Sequence, residues 1–333
     1  MNNNTNRYEI FLCPACKSKL QFSDVITCKK SEHKFQISNG IPLLYWPTDD
    51  SIVNDVTDTV KNFYEEHPFP GYEEIDTAEQ LEEKAKRGVF ARLLDSQIPQ
   101  NARVLEVGCG TGQLSNFLAM NGRTVWGADL CVNSLELGYK FSVDQAISAV
   151  NFIQMNLFKP VFPDEYFDFV LCNGVLHHTN DPLGGFRSIS KLVKPGGYII
   201  VGLYNKIGRV WTNLRRQVFR ITKNRYQFLD SRVARNDIEE HKKQIWYTDQ
   251  YLHPHEVSHT IDEVLSWFDE TGYEFVNSIP KTKPFSGFSQ FEPQFEPNPR
   301  GSSLEHAIVQ FMLAINGGAE GGFFIMIGRR KEI

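Results

Sequence analysis

Two kinds of apolar pattern alternate along the middle of the chain, between Arg103 and Leu203. Short runs with the composition of buried strands are separated by segments whose apolar residues recur at helical spacing. The pattern predicts strands at Val104–Val107, Thr124–Leu130, Val150–Met155, Phe167–Cys172 and Tyr198–Leu203, with helices at Leu114–Met120, Ser134–Asp144 and Leu183–Leu192. This alternation is typical of βαβ units built around a parallel sheet, so we predict an α/β fold.

The flanking segments predict further elements and two interruptions. The elements are helices at Thr77–Asp95 and Glu256–Thr271 and strands at Tyr273–Ile279 and Gly322–Gly328. The interruptions lie at about 205–253, which is rich in basic residues, and at about 280–321. Within the second, Pro280–Ser303 is rich in Pro, Phe and Gly. It is too long for a plain connection, so we predict a lid there.

The N-terminal part is organised differently. Residues 8–47 hold short strand-like runs between turn signals and predict a small separate domain. Residues 48–76 read as a polar linker followed by an aromatic and Pro-rich segment, and residues 77–333 as one large domain carrying both insertions.

Composition narrows the class of protein. The chain has 333 residues, of which 41% are apolar and 23% charged, which excludes a fibrous or wholly disordered protein. No apolar run approaches the ~20 residues that span a bilayer, and the Asn-rich start lacks an apolar signal region. We therefore expect a cytoplasmic protein without membrane insertion. The net charge of −5 does not indicate nucleic-acid binding, although a local basic patch can suffice.

A glycine-rich turn joins the first predicted strand to its helix. Gly108, Gly110 and Gly112 let a ligand approach the backbone closely, where the helix N-terminus offers free N–H groups. A tight turn without a ligand is the alternative for this spacing alone. The second strand ends at Asp129, and a carboxylate there can accept both hydroxyls of a ribose. Together these residues favour a nucleoside-containing cofactor.

The end of the third strand provides a candidate adenine site. Asn156 could accept a hydrogen bond from an adenine amino group, with Leu130 and Met155 flanking the ring. Asparagine is also common in turns, so a structural role for Asn156 is equally open.

Four motifs, in order, carry a family resemblance: Val104–Gly112, Asp129, Phe167–Asn173 and Leu192–Gly197. Together they resemble the class I S-adenosylmethionine-dependent methyltransferases over roughly residues 77–203. The resemblance implies a seven-stranded Rossmann-like sheet whose last two strands form an antiparallel pair. It assigns the glycine loop and Glu106 to the methionine half of the cofactor and Asp129 to the ribose. Asn173, at the end of the third motif, is a further predicted cofactor residue, whereas Asn156 departs from the Asp of many members.

Candidate acceptor residues lie outside these motifs. His177 and His178 follow the fourth strand, where they could orient or deprotonate an acceptor or simply support the cofactor pocket. Tyr64 and His67 could face the active site or form an aromatic hinge. The acceptor pocket is also predicted to include two residues of a later run, Tyr251 and His253.

The insertion after residue 205 carries an amphipathic pattern. Trp211, Leu214, Val218 and Ile221 recur at helical spacing among Lys and Arg residues. A basic helix could contact nucleic acid, a membrane or an anionic substrate. The preferred interpretation is a cover helix whose apolar side packs inward and whose basic side is solvated.

Four potential metal ligands crowd near the N-terminus. Cys13, Cys16, Cys28 and His33 give the spacing C-x2-C-x11-C-x4-H, and three thiolates with one imidazole suit a closed, structural zinc site. Residues 13–44 also resemble the Trm112-like zinc-ribbon family. Similar ribbons precede the methyltransferase domain in some bacterial ribosomal RNA guanine methyltransferases, where the ribbon is associated with RNA recognition.

Three functions follow from this sequence. The preferred one is methyl transfer from S-adenosylmethionine to a small metabolite, and the second is methylation of a base in rRNA or tRNA. The third, a non-catalytic cofactor-binding or docking protein, is the least favoured because the glycine loop and Asp129 are intact. The sequence leaves the methylated atom, the base and the oligomeric state open.

Overall fold

The computed structural model describes residues 8–48, 56–66, 68–73, 75–235, 239–315 and 321–332. We number the strands β1 to β11 and the helices α1 to α10. The strands are β1 Leu20–Gln21, β2 Ile26–Cys28, β3 Lys34–Ser38, β4 Ile41–Leu43, β5 Arg103–Val107, β6 Thr124–Asp129, β7 Val150–Gln154, β8 Phe167–Asn173, β9 Val193–Tyr204, β10 Tyr273–Ile279 and β11 Phe323–Arg330. The helices are α1 Thr57–Glu66, α2 Ala78–Arg87, α3 Val89–Gln97, α4 Gln113–Met120, α5 Val132–Asp144, α6 Pro182–Ser190, α7 Val210–Ile221, α8 Glu240–Tyr247, α9 Ile261–Thr271 and α10 Ser303–Ile315.

All the described strands join one sheet, in the order β1-β2-β3-β4-β7-β6-β5-β8-β9-β11-β10. The strands from β7 to β9 are parallel, and β11 runs antiparallel to both β9 and β10. The seven strands from β7 to β10 in this order confirm the predicted sheet and its antiparallel final pair. Apolar runs such as Val104-Leu105 are fully buried because helices cover both faces of the parallel part.

The N-terminal strands extend this sheet at its edge. Strand β4 pairs with β7 through Leu43 and Gln154, and β3 pairs with β4 in turn. The ring of Phe11 packs edge-on against Trp126 at 5.1 Å and Phe162 at 5.3 Å, measured between ring centroids. The residues predicted as a separate ribbon therefore share the sheet and the hydrophobic core of the large domain.

Two predicted boundaries are wrong, each for a local reason, and one helix was not predicted. The helix predicted at Thr77–Asp95 is two helices, because Gly88 adopts an extended conformation between α2 and α3. The helix predicted from Glu256 begins at Ile261, since Thr260 caps it with its side chain on the backbone N–H of Glu263. Helix α10 was not predicted at all and forms much of the second insertion.

The segment Pro280–Ser303, predicted as a lid, is attached to the body of the protein by several contacts. Phe295 packs against Phe169 and Tyr198 of the central strands, at 5.1 and 4.8 Å between centroids. The buried ammonium group of Lys281 donates to Asn277 and Asn298 and pairs with Glu292. Buried polar contacts of this kind fix the segment in place.

Candidate active site

The glycine loop connects β5 to α4 in a conformation that other residues rarely adopt. Gly108, Gly110 and Gly112 have φ values of +69°, +53° and +71°. A β-carbon on Gly110 would lie 2.2 Å from the carbonyl oxygen of Phe69, and one on Gly112 would lie 2.3 Å from the ring of Phe152. The loop therefore needs glycine both for its backbone angles and for close packing.

A strap of residues 68–72 crosses over this loop. The Thr111 hydroxyl and the Gln113 amide donate to the carbonyls of Pro70 and Gly71. Tyr72 stacks on Phe141 of α5, at 4.6 Å between centroids. The aromatic segment thus acts partly as the hinge considered above, while Tyr64 of α1 lines the cavity described below. His67 lies outside the described residues.

Two carboxylates stand beside the loop. Asp129 accepts hydrogen bonds from the backbone N–H groups of Gly110 at 2.8 Å and Cys131 at 2.9 Å, while desolvation raises the pKa of Asp129. Glu106 accepts from the Ser115 hydroxyl, and burial raises the pKa of Glu106 to about 7. Both carboxylates are thus positioned by bonds from the loop and from helix α4.

Most of the predicted cofactor residues line one cavity of about 1090 Å³: Glu106, Gly108, Gly110, Asp129, Leu130, Met155, Asn156 and Asn173. The Asn156 amide donates to the Trp46 carbonyl at 3.0 Å and accepts from the Phe158 N–H at 3.0 Å. These are the bonds of a turn asparagine, the alternative left open above. The buried Oδ1 atom of Asn173 has no hydrogen-bond partner within the described part of the chain.

Three histidines meet at the other side of the cavity. His177 and His178 line it and are buried, and the ring of His253 stacks on His178 at 3.6 Å between centroids. Burial holds the pKa of His177 and His178 well below the usual range and lowers the pKa of His253 to about 4. All three rings are therefore neutral at pH 7.

The hydrogen bond of His178 fixes its tautomer. Its Nδ1 atom lies 2.9 Å from the carbonyl oxygen of His255, and a carbonyl can only accept, so Nδ1 carries the proton. The lone pair of the ring is then on Nε2. His178 is thus held in an orientation in which Nε2 can accept a proton.

Tyr251 does not belong to this group, which corrects its prediction as an acceptor residue. Its ring packs against Phe219 and Tyr247 in a small core inside the insertion, and its hydroxyl donates to Asp230 at 2.5 Å. His253, two residues later in the chain, lies instead against Tyr64 and His178. The two side chains point to different places because Tyr251 lies in the helical turn Thr248–Leu252, which ends just before His253.

A buried ion pair supports this side of the cavity and was not predicted. Arg209, which is completely buried, makes two bonds to Glu256, at 2.9 Å from Nε and 2.6 Å from a terminal nitrogen. Arg216 donates to the same carboxylate at 3.0 Å. Burial raises the pKa of Glu256, but the two guanidinium groups outweigh it and hold the pKa at about 2. The Arg209 guanidinium also lies over the Tyr204 ring, which lines the cavity.

The walls of the cavity beyond the histidines are largely apolar and come from distant parts of the chain. They include side chains of the strap, helix α3, strand β10, the second insertion and strand β11: Phe69, Val89, Phe90, Ile279, Phe288 and Phe323. Arg232, Trp246 and Gln250 of the first insertion also line the cavity. No sequence motif marks these residues, because they are brought together only by the fold.

The four predicted metal ligands form a compact cluster. The ligand atoms of Cys13, Cys16, Cys28 and His33 all lie within 4.8 Å of one another. Among the described residues, no other group of His, Cys, Asp or Glu side chains forms such a cluster. A zinc–sulfur distance of about 2.3 Å in a tetrahedral site places neighbouring sulfurs roughly 3.8 Å apart. The spacing of the four side chains therefore fits a metal ion with tetrahedral coordination.

Comparison with known proteins agrees with this geometry. Residues 105–201 match the family described as methyltransferase domain. The chain is similar to the ubiquinone biosynthesis O-methyltransferase of Proteus mirabilis, with 30% identity over 179 residues that cover 53% of this chain and 63% of the relative. It is similar to an uncharacterized protein of Synechococcus, with 22% identity over 257 residues covering 67% of this chain and 60% of the relative.

The chain thus spans about three fifths of the length of these two curated relatives. Among solved structures it is similar to PKMT2 from Rickettsia typhi, with 17% identity and a TM-score of 0.52, covering 75% of this chain and 54% of that one. This likeness supports the fold. None of the described helices is long and apolar enough to cross a bilayer.

Proposed function

We propose that this chain is an S-adenosylmethionine-dependent methyltransferase that acts on a small molecule with a substantial apolar part. The observation that carries the proposal is one cavity that runs from the glycine loop to His177 and His178 and on to the apolar walls. Its volume of about 1090 Å³ slightly exceeds the range of roughly 300–1,000 Å³ typical of ligand pockets. There is room for the cofactor and for an acceptor beside it.

The residues of the loop side suit the cofactor. Asp129 would accept from the ribose hydroxyls, and the Asn173 Oδ1 atom, which has no partner among the described residues, would accept from the amino group of the methionine half. When bound, S-adenosylmethionine supplies a methyl group on a positively charged sulfur. The apolar side chains of Leu130 and Met155 would flank the adenine.

The histidine side would hold the acceptor. His178, oriented by the His255 carbonyl, would receive the proton of an acceptor hydroxyl at Nε2. His177 and Tyr64 would close the pocket around the reacting atom, and His253 would support the His178 ring. Alignment of acceptor and methyl group is the larger contribution, since positioning can supply about 7–11 kcal/mol.

A labelled-methyl transfer assay tests the proposal against the alternative RNA substrate. Purified protein, methyl-labelled cofactor and extract of the source cells would be incubated, and the products separated into RNA, protein and small molecules. We expect the label in small molecules that partition into organic solvent. Label that becomes soluble only after nuclease treatment would instead establish the RNA function.

Replacing Gly110 by arginine should abolish cofactor binding. A β-carbon there collides with the Phe69 carbonyl, so the strap and loop must separate, and the side chain would enter the cavity. We expect the affinity for S-adenosylhomocysteine, measured by calorimetry, to fall at least ~100-fold, or about 2.8 kcal/mol. Gly272→Arg is the matched control, because Gly272 also has a positive φ but its β-carbon would meet nothing within 4 Å. Equal affinities for the two variants would contradict the assignment of the loop.

We also propose that Cys13, Cys16, Cys28 and His33 hold a structural zinc ion. Their compact cluster supports this, and four protein ligands leave no open position for chemistry at the metal. The surrounding strands β1 and β2 have only two and three residues, so the metal would supply much of the local stability.

Cys16→Ser should therefore release the metal. We expect the zinc content, measured by elemental analysis after dialysis, to fall from one ion per chain to near zero, with a lower unfolding temperature. Cys131→Ser is the control, since Cys131 lies outside the cluster, where its sulfur contacts the N–H of Ser134. Zinc retained equally by both variants would rule out the site.

A further inference from the structure

Helix α7 presents an apolar face to the outside. Val210, Trp211 and Leu214 are each at least half exposed, with relative accessibilities of 50%, 52% and 52%, and Ile221 reaches 77%. The helix packs on the protein through its opposite side, where Phe219 contacts Tyr247 and Tyr251. Trp211, Leu214 and Ile221 of the stripe seen in the sequence therefore face outward, contrary to the cover-helix interpretation, whereas Val218 packs against this core.

Helix α10 has a second outward apolar stripe. Leu304, Ile308, Phe311 and Ile315 are spaced at helical intervals on one face and are 73%, 37%, 60% and 65% exposed. The other face is fixed to the body, where Gln310 accepts hydrogen bonds from the Asn205 side chain and the Ile261 N–H. The two helices are neighbours, because Leu313 of α10 lies beside Gly208 at the start of α7.

The charges around α7 are of one sign. Residues 205–229 contain seven Lys or Arg and no Asp or Glu, in a chain whose net charge is −5. Arg209 and Arg216 are used internally by Glu256. Lys206, Arg220, Lys223 and Arg225 are exposed and flank the apolar stripe. On α7 the apolar stripe and these cations complement a surface that is apolar inside and negatively charged outside, whereas α10 has no Lys or Arg and contributes its apolar stripe.

We propose that the exposed faces of α7 and α10 bind the surface of an anionic lipid bilayer. A Trp, Leu and Ile stripe with Arg and Lys beside it is typical of helices that lie in the headgroup region. Single-stranded RNA is bound through aromatic stacking platforms, whereas most of the exposed apolar residues here are aliphatic. The same insertion lines the cavity with Arg232 and Trp246, so lipid contact would bring an apolar acceptor close to the active site.

Vesicle flotation with the full-length protein tests this proposal without any methyl transfer. The probes are vesicles of phosphatidylcholine alone and vesicles in which one third is phosphatidylglycerol. We expect binding to the anionic vesicles, at least ~10-fold weaker binding to the neutral ones, and weakening as salt rises. Binding to neither kind of vesicle would overturn the proposal. If the protein also retained RNA under the same conditions, the basic surface would be an RNA-binding site instead.

Substitutions separate the apolar from the electrostatic contribution. Leu214→Asp combined with Ile221→Asp should reduce vesicle binding ~100-fold or more, because each aspartate removes apolar contact and repels the anionic surface. Arg220→Glu with Lys223→Glu should reduce binding ~10-fold or more. Val143→Asp is the control: Val143 is a 59% exposed apolar residue of α5, and binding should be unchanged. Unchanged binding of both double variants would overturn the proposal.

Two further measurements distinguish lipid binding from misfolding of the variants and from self-association of the protein. Brominated lipids should quench the fluorescence of wild-type protein more than that of Trp211→Phe, since Trp211 would lie in the headgroup region. Sedimentation should give the same mass for the wild type and for Leu214→Asp with Ile221→Asp. If that variant converts a dimer to a monomer and the wild type shows no lipid quenching, the apolar faces join two copies of the chain instead.

Discussion

Replacing Glu256 by glutamine should lower the free energy of unfolding by about 3–5 kcal/mol. Glu256 is almost fully buried and accepts bonds from Arg209, which is fully buried, and from Arg216. The substitution keeps the shape of the side chain but removes its charge. Two guanidinium groups would then be left without a carboxylate, one of them with no access to water.

Urea unfolding monitored by circular dichroism measures this loss, provided that the slope of the transition is unchanged. Glu332→Gln is the matched control, because Glu332 pairs with Arg329 at 2.7 Å but is 70% exposed. Exposed pairs contribute about 0–1 kcal/mol, so this variant should unfold nearly like the wild type. Similar stabilities for the two variants would show that the buried pair does not support the fold.

A double replacement gives a second test of the same pair. Arg209→Met together with Glu256→Met removes both charges at once. Replacing a buried ion pair by apolar side chains is often neutral or stabilising, so the double variant should recover most of the stability lost in Glu256→Gln. If the double variant is as unstable as the single one, the loss arises from packing and not from the uncompensated charge.

Replacing His178 by asparagine should lower the rate of methyl transfer by about 10²–10⁴-fold, the usual contribution of a general base. The asparagine amide can still donate to the His255 carbonyl, as Nδ1 of the ring does now, but it lacks the Nε2 lone pair. The affinity for S-adenosylhomocysteine should stay within a few-fold of the wild type, because His178 lies on the acceptor side of the cavity.

The assay follows labelled methyl transfer into the acceptor fraction identified above, as a function of pH. In the wild type the rate should fall as the pH is lowered through the pKa of His178, which burial holds well below the usual range, and the variant should lose that dependence. His255→Gln is the control, since only the backbone carbonyl of His255 holds the His178 ring. A His178→Asn rate within ~10-fold of the wild type would exclude His178 as the base.

The sequence alone was sufficient to predict those parts of the site whose residues are close in the chain or stand at the ends of adjacent strands. Gly108, Gly110 and Gly112 have positive φ in the structure, as a tight turn between a strand and a helix requires. Asp129 lies beside them because both stand at the carboxyl ends of adjacent parallel strands. The four Cys and His residues come together because their spacing suits two short turns. In each case the contact is local or follows from the order of the strands.

The acceptor side could not be assigned in this way. Tyr251 and His253 lie in one short run, yet one belongs to the core of the insertion and the other stacks on His178. Arg209 and Glu256 are 47 positions apart and meet only through the folded insertion. Phe90 and Phe288 line the same cavity although they are far apart in the sequence of the large domain. Such contacts depend on the path that the long connecting segments take in the folded chain, and a periodic sequence pattern does not specify that path.

The sequence by itself determined the alternating strands and helices, the glycine loop with Asp129 and the metal-ligand spacing, because these depend on local side-chain period and turn chemistry. The tertiary structure alone decided which elements cover one another. It placed β4 against β7, so that the N-terminal unit extends the main sheet. It also turned the apolar stripe of α7 outward while Phe219 anchors the helix. A periodic pattern identifies an apolar face, but only the packing of the whole chain determines what that face meets.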